Sequence, residues 1–332
     1  MNKVLTIVIA AYNVEDYLDD ALRSCVIQDD RIRKLYEVIV VNDGSADHTG
    51  DIARRYVERY PETFRLIDKV NGGYGSVINE GVKAAEGRYF KLLDGDDWYD
   101  TQALEKMVQC LGTCDSDMVL TEYTLVHENS GRRNTACYAG IARNAQRPVS
   151  DLLRVEFPLA MHGLCYRTDV LRQVPVPVTE HCFYTDTEYV IYGLAYVKEM
   201  TYFPVNLYQY RIGVEGQSVS ISGLRKHIGD LERVIADIDA FCERLQDSVN
   251  RELISYRIAL AYREYITSLL LLSGSKEMRQ KIRRFDEKVK RLQPKRYEWM
   301  ENKKIRILRL TGYRACGLCR LYCKWEKIRD ER

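Results

Sequence analysis

Between residues 4 and 121, short runs of β-branched and apolar residues alternate with segments of helical period, and no other feature restricts the fold so strongly. Residues 4–9, 36–41, 64–67, 89–93 and 117–121 read as buried strands. Val14, Tyr17, Leu18, Ala21, Leu22 and Cys25 recur at helical spacing, with Asn13 as the expected N-cap and Asp16 favouring the helix dipole. Ile52, Tyr56, Val57 and Tyr60 mark a second helix, and a third is expected from near Ser76 to Gly87, where glycine suits a helix end. The alternation predicts an α/β fold, an open, mostly parallel sheet with helices on both faces.

Ligands of such sheets bind at the carboxyl ends of the strands. Three polar clusters fall there: Tyr12-Asn13, Asp43-Gly44-Ser45 and Asp94-Gly95-Asp96-Asp97. Asp43-Gly44-Ser45 by itself is a common turn, and surface-turn chemistry also accommodates the second acidic run. Carboxylates gathered at one edge repel one another, however, and a divalent cation or a hydrogen-bonded ligand relieves that cost. One or two carboxylates plus ligand phosphates suit Mg²⁺ or Mn²⁺. Asn71-Gly72-Gly73-Tyr74-Gly75 is either a flexible turn or a place where backbone approaches a ligand before a helix opens at Ser76. It fits neither the dinucleotide fingerprint nor the P-loop.

Composition narrows the partners. The 332 residues carry a formal net charge of +2, which argues against nucleic acid. The charge is uneven: residues 276–332 hold 20 basic and 8 acidic side chains, net +12, against −10 for the rest. Ile305, Ile307, Leu308, Leu310, Leu318, Leu321, Tyr322 and Trp325 interrupt that basic stretch, which is either a solvated helical surface or a segment lying on an anionic membrane. No run of about 20 apolar residues is present, and the opening residues do not resemble a signal peptide, so a cytoplasmic protein, peripheral on the inner membrane face if the basic segment binds lipid, is expected. The ten cysteines read as reduced, buried hydrophobes. Cys316, Cys319 and Cys323 share a helix face but lack a fourth zinc ligand. Leu224, Ile228, Leu231, Ile235, Ile238, Cys242 and Leu245 form an apolar seam for core packing or a homodimer.

Four blocks, in order, resemble family-two glycosyltransferases: residues 6–18, residues 38–49, Asn79-Glu80-Gly81 with residues 85–89, and Leu93-Asp94-Gly95-Asp96-Asp97. The resemblance implies a GT-A fold, a UDP-sugar donor and inversion at the anomeric carbon. Carried over by position, Tyr12 and Glu15 line the nucleoside pocket, Ala11 and Asn13 belong to the nucleotide-sugar site and Asp43 meets the uracil. Asn71, Ser76, Asp94 and Gly95 then belong to the nucleotide-sugar site, with Asp96 and Asp94 at the metal. Three positions depart from the pattern: Ala10 in place of Pro, Asn42 in place of a first Asp, and Ile78 where Arg often precedes the Asn. An inverting transfer needs a base to take the acceptor proton. Tyr184-Thr185-Asp186-Thr187-Glu188-Tyr189 resembles the family's base segment with Thr185 in place of Glu. Asp186 is the expected base and Glu188 the fallback; Asp186 as a helix cap is the plain alternative. His162 is placed at the acceptor, or else is structural. Arg211, with Gln217 and Ser218, resembles a loop closing over the diphosphate, or Arg211 is a surface strand end.

These expectations make residues 1–220 a catalytic domain, with a nucleotide-sugar half at 1–125 and an acceptor half at 126–220, followed by a helical extension at 221–332. The expected reaction is metal-dependent transfer from a UDP-sugar to a glycan or lipid-linked acceptor in exopolysaccharide, capsule or wall polymer synthesis. A sugar-nucleotide pyrophosphorylase and a non-catalytic glycan-binding scaffold are the alternatives. The first lacks its glycine- and lysine-rich loop after strand one; intact Asp94, Asp96 and Asp186 argue against the second.

Overall fold

In the computed structural model ten strands among the described residues form one sheet: β1 Leu5–Ala11, β2 Tyr36–Asn42, β3 Phe64–Asp68, β4 Tyr89–Asp94, β5 Trp98–Tyr99, β6 Met118–His127, β7 Arg133–Ala136, β8 Gln146–Pro148, β9 Leu164–Arg167 and β10 Glu199–Ile212. The structure describes residues 3–128, 130–154, 159–213 and 220–331, in two units, Met1–Ile212 and Gly213–Arg332. The main path of the sheet is β3-β2-β1-β4-β9-β6-β10-β5. β3, β2, β1 and β4 are parallel, as the alternation requires. Beyond them the sheet is mixed: β9 runs antiparallel between β4 and β6, while β6 and β10 are parallel. β1 and β2 are covered on both faces, so their continuous Val and Ile runs are core on either side.

Register decides which sequence-distant groups meet. Ala11 lies opposite Asn42, Asn42 opposite Asp68, and Ala10 opposite Asp94. The polar clusters after β1, β2 and β4 therefore share one edge.

The helices of this unit are α1 Leu18–Ser24, α2 Asp30–Arg33, α3 Thr49–Arg59, α4 Tyr74–Ala84, α5 Thr101–Gly112, α6 Thr168–Leu171 and α7 Asp186–Leu194. Two local expectations change. Asn13 is not an N-cap: its φ of 52° is left-handed, whereas an N-cap residue is extended, and α1 starts at Leu18. Its Oδ1 instead accepts from Ala46 N at 2.8 Å, and its own N–H donates to Ser45 Oγ at 3.0 Å, joining two strand-end loops. Gly87 does not end the third helix, which is α4 and spans Tyr74–Ala84. A Cβ on Gly87 would sit 2.3 Å from Thr6 N, so this glycine is required for close approach to β1.

The second unit is helical: α8 Ile221–Arg244, α9 Val249–Leu272, α10 Lys276–Leu292, α11 Pro294–Trp299, α12 Lys303–Leu310 and α13 Cys316–Glu331. Within the expected apolar seam, Leu224, Ile235, Ile238 and Cys242 are buried. Part of the basic excess is neutralised inside: Arg296 donates to Asp239 at 2.6 Å, and buried Asp286 accepts two bonds from Arg309 and one from Tyr313. Among the described residues no helix is long and apolar enough to cross a membrane.

Candidate active site

The glycine loop before α4 is built around Asp43. The carboxylate is buried, and its Oδ1 accepts from Lys69 Nζ at 2.8 Å, Gly72 N at 2.9 Å and Ser76 Oγ at 3.3 Å. Its Oδ2 accepts from Gly73 N at 2.8 Å, and Asn71 Nδ2 bonds the Asp43 carbonyl at 2.9 Å. The one proton of the Ser76 hydroxyl has its nearer acceptor in the Gly73 carbonyl, at 2.7 Å, and Oδ2 keeps a lone pair beyond its bond to Gly73 N. Gly73 holds φ +80°, which favours glycine, and places Tyr74 at the start of α4.

Tyr74 carries the construction to the acidic run. Its hydroxyl donates to Asp94 Oδ1 at 2.7 Å. Tyr208, on β10, donates to Asp97 Oδ2 at 2.6 Å and accepts from Asp94 N at 3.2 Å. Asp97 Oδ1 accepts from Arg211 N at 2.7 Å. Burial, then the negative charge of Asp96, push the Asp94 and Asp97 carboxyls well above the ordinary carboxylate range. Asp186 adds to the upward push on Asp94, and Tyr210 feels the charge of Asp97, Asp94, Asp96 and Asp186 together. Asp186 opens α7; burial raises its own carboxyl while the backbone N–H groups of Thr187 and Asp186 draw it down.

His162 lies on a single 3₁₀ turn, Met161–Gly163, stacked on Tyr210 at 4.2 Å and edge-on to Tyr208 at 4.7 Å. Burial, then the Lys91 charge, lower its pKa to about 3, so the imidazole is neutral. Its Nδ1 is buried without a hydrogen-bond partner among the described residues. Ligand atoms of His162, Asp94 and Asp97 lie within 4.8 Å of one another. A neutral imidazole with an unused nitrogen beside two carboxylates that repel their neighbours is a donor set that fits a divalent cation.

Lys91 fixes the turn from below. It is fully buried on β4 and donates to the His162 carbonyl at 2.8 Å and the Leu164 carbonyl at 3.0 Å. Burial lowers its pKa to about 8, against 10.5 for an ordinary lysine. The unfolded chain therefore binds more protons between those values, and stability rises with pH across the window. Relative to Lys91→Met, the wild-type protein is expected to gain stability as pH rises from 8 towards 10.5. Urea unfolding of both proteins at several pH values checks this; parallel profiles would show that Lys91 stays charged.

Residues 6–157 match the family model described as glycosyl transferase family 2. The chain carries a family 2 glycosyl transferase domain. EpsH of Bacillus subtilis, a protein named as a glycosyltransferase, is 28% identical over 217 residues, 63% of this chain and 60% of that one. The minor teichoic acid biosynthesis protein GgaB of the same organism is 36% identical over 107 residues, 32% of this chain and 12% of GgaB. TarS 1–349 of S. aureus, solved in complex with UDP-GlcNAc, superposes with a TM-score of 0.71 at 19% identity, covering 96% of this chain and 89% of TarS. The fold is thus that of GT-A glycosyltransferases. The chain spans about 60% of the length of the curated relative EpsH.

Within the first unit the structure brings Asp94, Asp96, Asp97 and Asp186 together, and it gives several other expected site residues partners inside the protein. Asp43, expected at the uracil, holds the glycine loop, and Ser76 beside it accepts from Lys69 Nζ and donates towards the Gly73 carbonyl and Asp43. Arg211, expected at the diphosphate, is occupied within the protein. Its Nε donates to the Asp96 carbonyl at 2.8 Å, its Nη1 pairs with Glu128, and its guanidinium lies 4.7 Å from the Trp98 ring centroid and 5.0 Å from that of Tyr17. Glu188, the fallback base, accepts from Thr179 N at 2.7 Å and is buried, tying α7 to the segment that packs on α4. Gly95 is required where a Cβ would lie 2.8 Å from the Ala10 carbonyl. Tyr12 is exposed at the rim, next to buried Ala11; Glu15 is also exposed and accepts from His48 N at 2.8 Å. Gln217 and Ser218 lie outside the described residues.

Sequence reasoning missed Asp97 as a candidate ligand, with Tyr74, Tyr208 and Lys91. The excess of tyrosine over phenylalanine, 24 against 7, was the available signal, since a buried hydroxyl needs a partner. Arg211→Ala is expected to lower stability by about 3 kcal/mol, from the loss of charge-assisted bonds and ring contacts, with Arg211→Lys giving little rescue. Chemical denaturation checks this. A loss of UDP affinity with unchanged stability would instead return Arg211 to the diphosphate.

Proposed function

We propose that this chain is a divalent-cation-dependent, inverting glycosyltransferase that moves a sugar from a UDP-sugar to a hydroxyl of a glycan or lipid-linked acceptor, in the synthesis of a cell-surface polysaccharide. The meeting of Asp94, Asp96, Asp97 and Asp186 at the carboxyl edge of the parallel strands carries this reading. TarS was solved with UDP-GlcNAc and with UDP, which supports a UDP-sugar donor, and the teichoic acid role in GgaB's name supports a surface polymer as product.

Residues 1–220 perform the catalysis and 221–332 form the helical extension. Tyr12, Glu15 and Asn71 border the nucleoside pocket, while Asp43 acts on it through the loop it organises. Asp94, Asp97 and His162 hold the cation, with Asp96 at the neighbouring position. The imidazole in that set favours Mn²⁺ over Mg²⁺. When bound, the cation supplies positive charge that stabilises the departing diphosphate. Asp186 accepts the acceptor's hydroxyl proton on its carboxylate while the new C–O bond forms and the bond to UDP breaks. A base whose pKa burial has raised is matched better to that proton than a fully solvated aspartate.

A panel of sugar nucleotides, with and without Mn²⁺, tests the reading by thermal shift and by UDP release. The expected result is Mn²⁺-dependent stabilisation by UDP-sugars, about 2.7 kcal/mol at a hundredfold excess over Kd, and UDP release with the right acceptor. No stabilisation and no release with any member of the panel would favour the non-catalytic scaffold.

A further inference from the structure

Helix α13 is apolar on two sides. Cys316, Cys319 and Cys323 are buried on one face. Leu318, Leu321, Tyr322 and Trp325 stand at i, i+3, i+4 and i+7, and they are exposed by 66%, 65%, 43% and 54%. Single exposed apolar residues are ordinary, but a stripe at helical period is a surface shaped for contact. The neighbouring α12 repeats the spacing with mixed chemistry: Lys303, Arg306, Ile307 and Leu310 are all exposed, Leu310 by 77%.

The charge beside these stripes is one-sided. Lys281, Lys295, Arg296, Lys304 and Arg309 of the basic segment are paired with carboxylates. Lys303, Arg306 and Arg314 are exposed and form no ion pair among the described residues. Tyr322 and Trp325 stack with ring centroids 6.0 Å apart. Such rings, apolar in body and polar at one edge, favour the headgroup region of a bilayer.

We propose that the outward faces of α12 and α13 are a docking surface for an anionic lipid membrane, on which the helices lie without crossing it. Leucine and aromatic side chains enter the acyl boundary while Lys303, Arg306 and Arg314 meet lipid phosphates. A second copy of the chain is a poorer occupant, because a symmetric contact would bring these like charges together. The proposal deepens the reading of a lipid-linked acceptor and rests on it for its purpose. Vesicle binding is measured without donor or acceptor, so its failure is distinguishable from a failure of the transferase reading.

The test is co-sedimentation of the full chain with vesicles of phosphatidylglycerol and phosphatidylcholine, and with phosphatidylcholine alone. The expected result is binding to the anionic vesicles that weakens with added salt. It should fall about tenfold or more in Leu318→Glu/Leu321→Glu and in Arg306→Glu/Arg314→Glu. A second readout needs no disruptive change: brominated lipids should quench tryptophan fluorescence in the wild type and less in Trp325→Phe. Equal sedimentation with neutral and anionic vesicles, or of wild type and variants, would overturn the proposal. So would a concentration-dependent dimer that Leu318→Glu/Leu321→Glu dissociates while no vesicle binds.

Discussion

Asp186→Asn is expected to slow sugar transfer by about 10²-fold or more while leaving UDP-sugar affinity close to wild type. The amide keeps the shape of the carboxylate at the start of α7, so the fold around it is retained. What it loses is the ability to accept the acceptor's proton. The change removes a negative charge next to Asp94, whose carboxyl Asp186 helps to push up. Cation binding should therefore weaken slightly or stay level, because one nearby anion is gone while the ligands remain. Single-turnover transfer and UDP-sugar binding by calorimetry separate the two effects. Full activity in the variant would move the base elsewhere, and Glu188 is poorly placed to replace it because its carboxylate is bound to Thr179 N.

The second large effect is expected from His162→Phe. The phenyl ring preserves stacking on Tyr210 and the edge contact with Tyr208, and it removes the buried nitrogen. Mn²⁺-dependent UDP binding should fall by about 10²-fold, at or above the loss typical of changing an outer-shell partner of a metal ligand. The variant's remaining carboxylates should discriminate less between Mn²⁺ and Mg²⁺, since oxygen donors suit both. UDP binding titrated with each cation checks the prediction. Unchanged Mn²⁺ dependence would assign the cation to Asp94 and Asp96 without the imidazole.

The candidate site was legible in uneven measure. Asp94 and Asp96 could be singled out because carboxylates gathered after an apolar strand repel one another until a cation or ligand relieves them, and Asp186 through the family resemblance. Asp43 and Arg211 stand in the sequence as candidate ligand contacts, and only the structure shows the partners that each has inside the protein. Their occupation depends on Gly72, Gly73 and Lys69 for one and on Glu128, Trp98 and Tyr17 for the other. Asn13 shows the same limit at the backbone: its residue type suits an N-cap, and only its left-handed φ shows that it joins two loops.

Hydrophobic period and strand-end chemistry, both local, were enough to give the parallel strands, the edge where polar clusters gather and the family resemblance. Tertiary structure alone decided that β9 enters antiparallel between β4 and β6, and that Lys91 sits beneath the turn bearing His162. It also decided that tyrosines far away in sequence, Tyr74 and Tyr208, hold the acidic run in place. The physical reason is that a side chain's period reveals which face it occupies, whereas the partner of a buried polar group is set by the register of strands and turns that the chain brings together only on folding.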